Sequence, residues 1–293
     1  MVKRRRKSDN KVLWGTVGAV GVVVVAIVLA VILTKSGPQQ SYFGPTSPTI
    51  LAELQDVPAS VYNAVGVSSS IQTGPLLNLK GVLVTTKQPA LTYKVGGKTL
   101  PGIVYVGAEF CPYCAATRWG MITALSRFGH FNTLYNMLSS DDDVYPSTPT
   151  FSFVGKKPTN VVTYTSKYFA FQAYEQLDRN SNNFMKVPTA VEVLVGHYDY
   201  APSTNSYGGI PFMDVGNRYF ITGGAYDPST LANLSRSSIA AGLTDPSIPV
   251  TQAIISTANY VSAAICSITH AQPGSVCHSS GVVAAATAAG IKL

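Results

Sequence analysis

Apolar positions fall into two regimes along this chain. The first is unbroken: VLWGTVGAVGVVVVAIVLAVIL, Val12 to Leu33, carries no charged side chain over 22 residues. At about 1.5 Å rise per residue a helix of that length covers roughly 33 Å, enough for the hydrocarbon core of a bilayer. A secretory signal has an apolar core of roughly 7 to 15 residues and an A-x-A-like site after it. This run is longer, and TKSGPQQ supplies no such site. The pattern predicts an uncleaved transmembrane helix over 12–33, followed by a Pro-, Gly- and Ser-rich linker over 34–49.

The second regime, from Ile50 onward, breaks the apolar positions into short runs with no internal repeat. ILAELQDVPASVYNAVGV reads as short helical pieces, and KGVLVTTKQPALTYKVGGKTLPGIVYVGAEF as strands interrupted by prolines and a Gly96-Gly97 turn. Ile103 to Val106, apolar and bounded by Pro101-Gly102 and Gly107, predicts a buried strand. AATRWGMITALSRFGHF changes to helical spacing, with Met121, Ile122, Leu125 and Phe128 on one side and Gly129 placed as a C-terminal cap. Next come the loop SSDDDVYPSTPT, the strand-like TFSFVG and YTSKYFAFQAYE, and the polar connector QLDRNSNNFMK. PTAVEVLVGHYDY predicts a helix with Pro188 in its first turn. FMDV and RYFIT flank a tight Gly216-Asn217 turn, a β-hairpin that delivers the chain to a helix N-capped by Asp227 with Pro228 at its first position. PSIPVTQAIISTANYVSAAICSITH predicts a longer helix before an Ala-rich end. Residues 50–293 therefore read as one α/β domain with a C-terminal helical extension.

Charge changes the picture once it is located. Lys3, Arg4, Arg5, Arg6, Lys7 and Lys11 against Asp9 contribute +5 of the formal +7, so the rest of the chain carries only +2. The basic character belongs to a tail, residues 1–11, and argues against a nucleic-acid face. Placed before the apolar run, the tail orients it with the N-terminus in the cytoplasm and the bulk of the chain extracytoplasmic. Charged residues are 12% of the chain, where about 25% is usual. A surface built from Ser, Thr, Asn, Gln and Tyr suits an acidic exterior, where carboxylates protonate and ion pairs fail.

The chemistry concentrates in YVGAEFCPYCAATRWGM. A strand running into C-x-x-C that opens a helix places Cys111 where free N–H groups and the helix dipole stabilise a thiolate, with Cys114 one turn along to resolve a mixed disulfide. Zinc would need a second ligand pair, and no other C-x-x-C or H-x3-5-H exists. Haem attachment needs a histidine where Ala115 stands. An inert disulfide within the motif stays open, because extracytoplasmic cysteines tend to oxidise.

CPYC is similar to the glutaredoxin motif, and the series strand, CPYC, helix, IPF, hairpin, helix resembles thioredoxin-like thiol-disulfide oxidoreductases. More closely, GAEFCPYCAATRWGMITALSRFG, STPTFSF, YTSKYFAFQAYE, IPFMDVGNRYFITGGAYDP and TANYVSAAIC together resemble an uncharacterised, membrane-anchored thioredoxin-like family of thermoacidophilic archaea. The resemblance covers most of the chain after about residue 50 and implies a thioredoxin-like fold with extra N- and C-terminal segments. It implies a cis peptide at Ile210-Pro211 lying against the cysteines and presenting backbone to substrate, with Pro112 and Tyr113 of the motif beside it. Cys111 is then the nucleophile and Cys114 the resolving thiol, with protein thiols or disulfides as substrates, a membrane redox partner, and no cofactor or metal. The family has no established activity, and an alternative stands: a non-catalytic scaffold or accessory subunit of a membrane complex in which the CPYC pair is a permanent bridge. The buried acid that often assists a resolving cysteine has no evident counterpart; Glu109 is near in sequence, but a surface position at the strand end is equally open to it.

Cys266 and Cys277 are separated by ten residues including Pro273-Gly274, which let the chain turn back. A structural disulfide closing so short a loop contributes about 3 kcal/mol in the chain-entropy model. Two rivals remain: a metal site with His270 and His278, and a second redox pair. His130 and His197 read as surface or helix-end residues, and Asp141, Asp142 and Asp143 as a solvated loop. The Asn233-Leu234-Ser235 sequon falls in a predicted helix.

Overall fold

The strand expected at Ile103–Val106 is the buried half of a longer one, and the rest of the molecule is assembled on it. The computed structural model describes residues 43–67, 89–198, 200–201, 206–207 and 209–293. In chain order these form β1 (Gly44–Pro45), α1 (Pro48–Gln55), α2 (Ala59–Val65), β2 (Thr92–Val95), β3 (Lys98–Gly107), α3 (Pro112–Ser126), β4 (Gly129–Phe131), β5 (Tyr135–Leu138), β6 (Pro149–Ser152), β7 (Tyr164–Ser166) and β8 (Ala170–Glu175). They continue as α4 (Thr189–Tyr198), β9 (Tyr200–Ala201), β10 (Ser206–Tyr207), β11 (Phe212–Val215), β12 (Tyr219–Thr222), a 3-10 turn (Pro228–Leu231), α5 (Arg236–Gly242), α6 (Pro249–Ile268), α7 (Gly274–Cys277) and α8 (Ser280–Ala289). The class is mixed α/β, with several sheets and eight helices among the described residues.

β3 is the axis of the largest sheet. Its second half pairs in parallel with β8, Ile103 opposite Phe171 and Gly107 opposite Glu175. On the other edge it pairs antiparallel with β11, Val106 opposite Phe212. β12 extends the sheet beyond β11, and β2 folds back on the first half of β3 through Gly96-Gly97. The order through the centre is β8-β3-β11-β12. Three smaller antiparallel groups, β1-β5-β6, β4-β7 and β9-β10, lie outside it.

Successive residues of a strand point to opposite faces, and here both faces are covered. Ile103 and Tyr105, with Met213, Val215 and Ile221, join one core with Trp119, Ile122 and Leu125 of α3 and Ile254, Ile255 and Val261 of α6. Val104 and Val106, with Phe212 and Phe220, join a second core with Val191 and Val195 of α4. The result is helix, sheet, helix, and it explains why the central strands read as continuous apolar runs.

The single apolar side expected for α3 is too narrow: every residue except Tyr113 and Ser126 is buried. α6 lies along it, β6 covers another side through Trp119 Nε1 donating to the Pro149 carbonyl at 2.9 Å, and the sheet closes a third. Gly120 is what lets α3 and α6 meet, since a Cβ there would run into the Thr257 side chain and come within 3.1 Å of the Ile254 carbonyl. Gly129 is not the cap of α3; the helix ends at Ser126, and Gly129 begins β4, where a Cβ would strike Tyr164 and the Thr165 carbonyl of β7. The Asn233 sequon likewise lies outside a helix, between the 3-10 turn and Ser235, the N-cap of α5. The predicted transmembrane helix over 12–33 lies outside the described residues, and among those described no helix is long and apolar enough to cross a membrane.

Candidate functional site

Cys111 is the N-cap of α3, in extended backbone at φ −78° and ψ 120°. Its sulfur accepts the backbone N–H of Cys114 at 3.1 Å, and Pro112 occupies the first helical position, where its missing N–H leaves nothing unsatisfied. This capping is what the order of strand, three-residue turn and Pro-led helix dictates: β3 ends at Gly107, and Ala108, Glu109 and Phe110 turn the chain into Cys111. Both cysteines are free thiols; Cys111 is 5% exposed and Cys114 fully buried. They form a small cluster with Ala108, onto which Phe110, Leu177 and Ile210 pack.

The Ile210-Pro211 peptide is cis, and Ile210, about a hundred residues away in sequence, packs against the thiol pair. Pro211 directly precedes β11, and its carbonyl accepts the Gly223 N–H at 2.9 Å. Cys111, Cys114, Pro112 and Ile210 are therefore gathered at one end of β3. Tyr113 points outward, 40% exposed, with its ring edge-on to Tyr145 at 5.9 Å and against Gly224. The Tyr145 hydroxyl bonds the Asp227 carboxylate, which also caps Ser229. Cys266 and Cys277 form a disulfide with Cα atoms 5.5 Å apart, tying α6 to α7, and belong to the large core rather than to the thiol cluster. No group of three or more His, Cys, Asp or Glu is placed to hold a metal ion among the described residues. His130 and His197 are exposed, and the loop at Asp141, Asp142 and Asp143 is tied by an Asp141–Arg179 ion pair at 3.2 Å.

Beneath the thiols lies a charged layer that the sequence pattern does not announce. Arg118 and Glu175 form a fully buried ion pair: Arg118 Nε donates to Glu175 Oε1 at 2.9 Å, and Nη2 donates to Oε2 and to the Ala108 carbonyl, the latter at 2.7 Å. The guanidinium stands over the Tyr105 ring, 5.8 Å from its centroid. The Tyr105 hydroxyl and Arg118 Nη1 have no hydrogen-bond partner among the described residues. Burial pushes the Cys114 thiol well above its usual range, reinforced by Cys111 beside it and opposed by Arg118. Glu109 is buried rather than a surface residue, its Oε1 accepting the Ser152 hydroxyl at 2.7 Å. Desolvation, with the negative charge of Glu175 nearby, raises its carboxyl to about 7. Glu109 also lines a cleft of about 570 Å³ with Lys156, Asp178 and Arg179. A signal for Arg118 was present: it stands one turn after Cys114 inside an otherwise apolar helix, where a cation needs a buried partner.

The residues from 90 to 267 match the family described as Domain of unknown function (DUF929), which is more than half of the chain. The chain belongs to this family. The DUF929 match encloses both thiols, Arg118, Glu175, the cis Ile210-Pro211 peptide and Cys266, and stops before Cys277. No curated protein and no solved structure matches the chain.

Proposed function

We propose that the chain is a membrane-anchored, extracytoplasmic thiol-disulfide oxidoreductase with a thioredoxin-like fold, acting on protein thiols or disulfides. The observation that carries this reading is Ile210, in the segment leading into β11, packed against two free thiols at a helix N-terminus. Support for the fold comes from the order β8-β3-β11-β12, with α3 carrying the thiols on one face, α4 on the other, and the cis proline leading into the β11–β12 hairpin. The apolar run at 12–33 and the basic tail before it support the anchor and the outward placement.

Cys111 acts as the nucleophile. Its sulfur already accepts the Cys114 N–H and lies at the N-terminus of α3. Attack on a substrate disulfide breaks that S–S bond, forms a mixed disulfide on Cys111 and releases one substrate thiolate. Cys114, deprotonated, then attacks Cys111 Sγ, closing the Cys111–Cys114 bridge and releasing the second substrate thiolate. Two electrons pass to the substrate, and a membrane redox partner resets the pair. The reverse sequence oxidises a substrate dithiol. Pro211 presents backbone to the substrate, and Tyr113 provides exposed aromatic surface beside the nucleophile.

The near-complete burial of both sulfurs favours a second reading, an extracytoplasmic scaffold or accessory subunit in which the two cysteines are bridged for good. Alkylation after mild reduction under native conditions separates the two. The catalytic reading expects one rapidly modified thiol that disappears in Cys111→Ser; a pair that stays bridged until the protein is unfolded supports the scaffold.

A further inference from the structure

The Arg118–Glu175 pair has no part in the exchange as just described, and a buried ion pair is a poor source of net stability because desolvation offsets the attraction. Its placement is specific. Arg118 follows Cys114 by one helical turn, and side chains on a helix lean toward its N-terminus, which carries the guanidinium back toward the thiols. Nη2 is held by the carbonyl of Ala108, and Ala108 packs directly on Cys111 and Cys114. Nη1 is fully buried and donates to no group among the described residues. Glu175, at the end of β8 opposite Gly107, fixes the guanidinium from below.

We propose that Arg118 is the electrostatic partner of Cys114, stabilising the buried Cys114 thiolate that attacks in one direction of exchange and departs in the other. The inference rests on the oxidoreductase reading for its purpose, but the interaction is measurable without turnover. When a substrate thiolate attacks Cys111 Sγ of the bridged pair, the Cys111–Cys114 bond breaks and its electron pair leaves on Cys114 Sγ, inside a site that water does not reach. A fixed cation there replaces the lost hydration. The groups acting on Cys114 are Cys111 and Arg118 on α3, Tyr105 on β3 and the Ala108 backbone, while Glu175 on β8 and Glu109 in the turn after β3 act on Arg118. Tyr105 is kept neutral by burial, so Arg118 is the cation beside Cys114, and Glu175 together with Glu109, once ionised above about pH 7, are the carboxylates that oppose it.

The test uses the full-length chain carrying Cys111→Ser and follows the thiolate absorbance of Cys114 against pH in three backgrounds. Glu175→Gln, which leaves Arg118 charged and uncompensated, is expected to lower the Cys114 titration by roughly 1 to 3 pH units. Arg118→Met is expected to raise it, and the double variant Arg118→Met/Glu175→Leu, which leaves no unpaired buried charge and guards against loss of fold, is expected to raise it too. In the chain with both cysteines, bridged, the rate of reduction by a small dithiol should rise at least tenfold in Glu175→Gln and fall at least tenfold in the double variant. A purely structural pair shifts the two single variants the same way or not at all, and that result overturns the proposal. Opposed shifts without any turnover on protein substrates would leave Arg118 as the partner of Cys114 and remove the enzyme reading instead.

Discussion

Glu109 carries a measurable consequence of its own burial. Its carboxyl titrates near 7 in the folded chain against about 4.5 in the open one, raised by desolvation first and by Glu175 second. A raised carboxyl favours the fold at low pH: its contribution is complete below about 4.5 and is lost as pH rises through about 7. Glu109→Gln keeps the acceptor for Ser152 and removes the charge. The variant should match the parent at pH 4 and exceed it by about 3 kcal/mol at pH 8, read as the denaturant midpoint at each pH. At this scale the sequence was legible for the thiols, since C-x-x-C needs only local order to be recognised. It was not legible for Arg118, Glu175 and Glu109, whose roles depend on which strand lies beside β3 and on how deep the turn after Gly107 is buried.

Helix α3 and helix α4 each contain a glycine, and the same substitution should act on them in opposite directions. Gly120 sits where α3 touches α6, so Gly120→Ala pushes a methyl group into Thr257 and should destabilise the protein by about 1 to 3 kcal/mol. Gly196 in α4 faces open space, so Gly196→Ala should stabilise by about 0.5 to 1 kcal/mol through helix propensity alone. Thermal melts of the two variants check both signs. Periodicity located both helices and the β11–β12 hairpin, because the Gly216-Asn217 turn with positive φ at both positions is written locally. It failed on α3's facing and on Gly129, since an element packed on three sides has no polar face to betray its orientation, and a glycine required by a neighbouring strand looks in sequence like a cap.

The whole molecule combines few charged residues with two buried carboxyls that resist ionisation. Asp214, on the α4 side of the hairpin, accepts the Asn217 N–H at 2.7 Å through one oxygen and has no partner on the other among the described residues; burial raises it from 3.8 to about 7. With Glu109 it gives the fold two groups whose stabilising contribution is present below about 4 and lost between about 4 and 7. Each pH unit by which folding raises a carboxyl is worth about 1.4 kcal/mol, so the chain should be several kcal/mol more stable near pH 4 than near pH 8. Chemical denaturation across that range is the check, and a stability maximum at neutral pH would contradict both the carboxyl assignments and the acidic exterior inferred from the charge-poor sequence. The Cys266–Cys277 bridge acts independently: Cys277→Ala should cost about 3 kcal/mol at either pH.

The proposed exchange of disulfides at Cys111, with Cys114 as the resolving thiol, can be followed directly in its products. The decisive experiment incubates the reduced full-length chain with a peptide disulfide and weighs the products. The expected products are free peptide thiol with a closed Cys111–Cys114 bridge in the parent, a trapped peptide adduct on Cys111 in Cys114→Ser, and no reaction in Cys111→Ser. An unreacted parent, or an adduct that forms on Cys114 while Cys111 stays free, would contradict the proposed exchange.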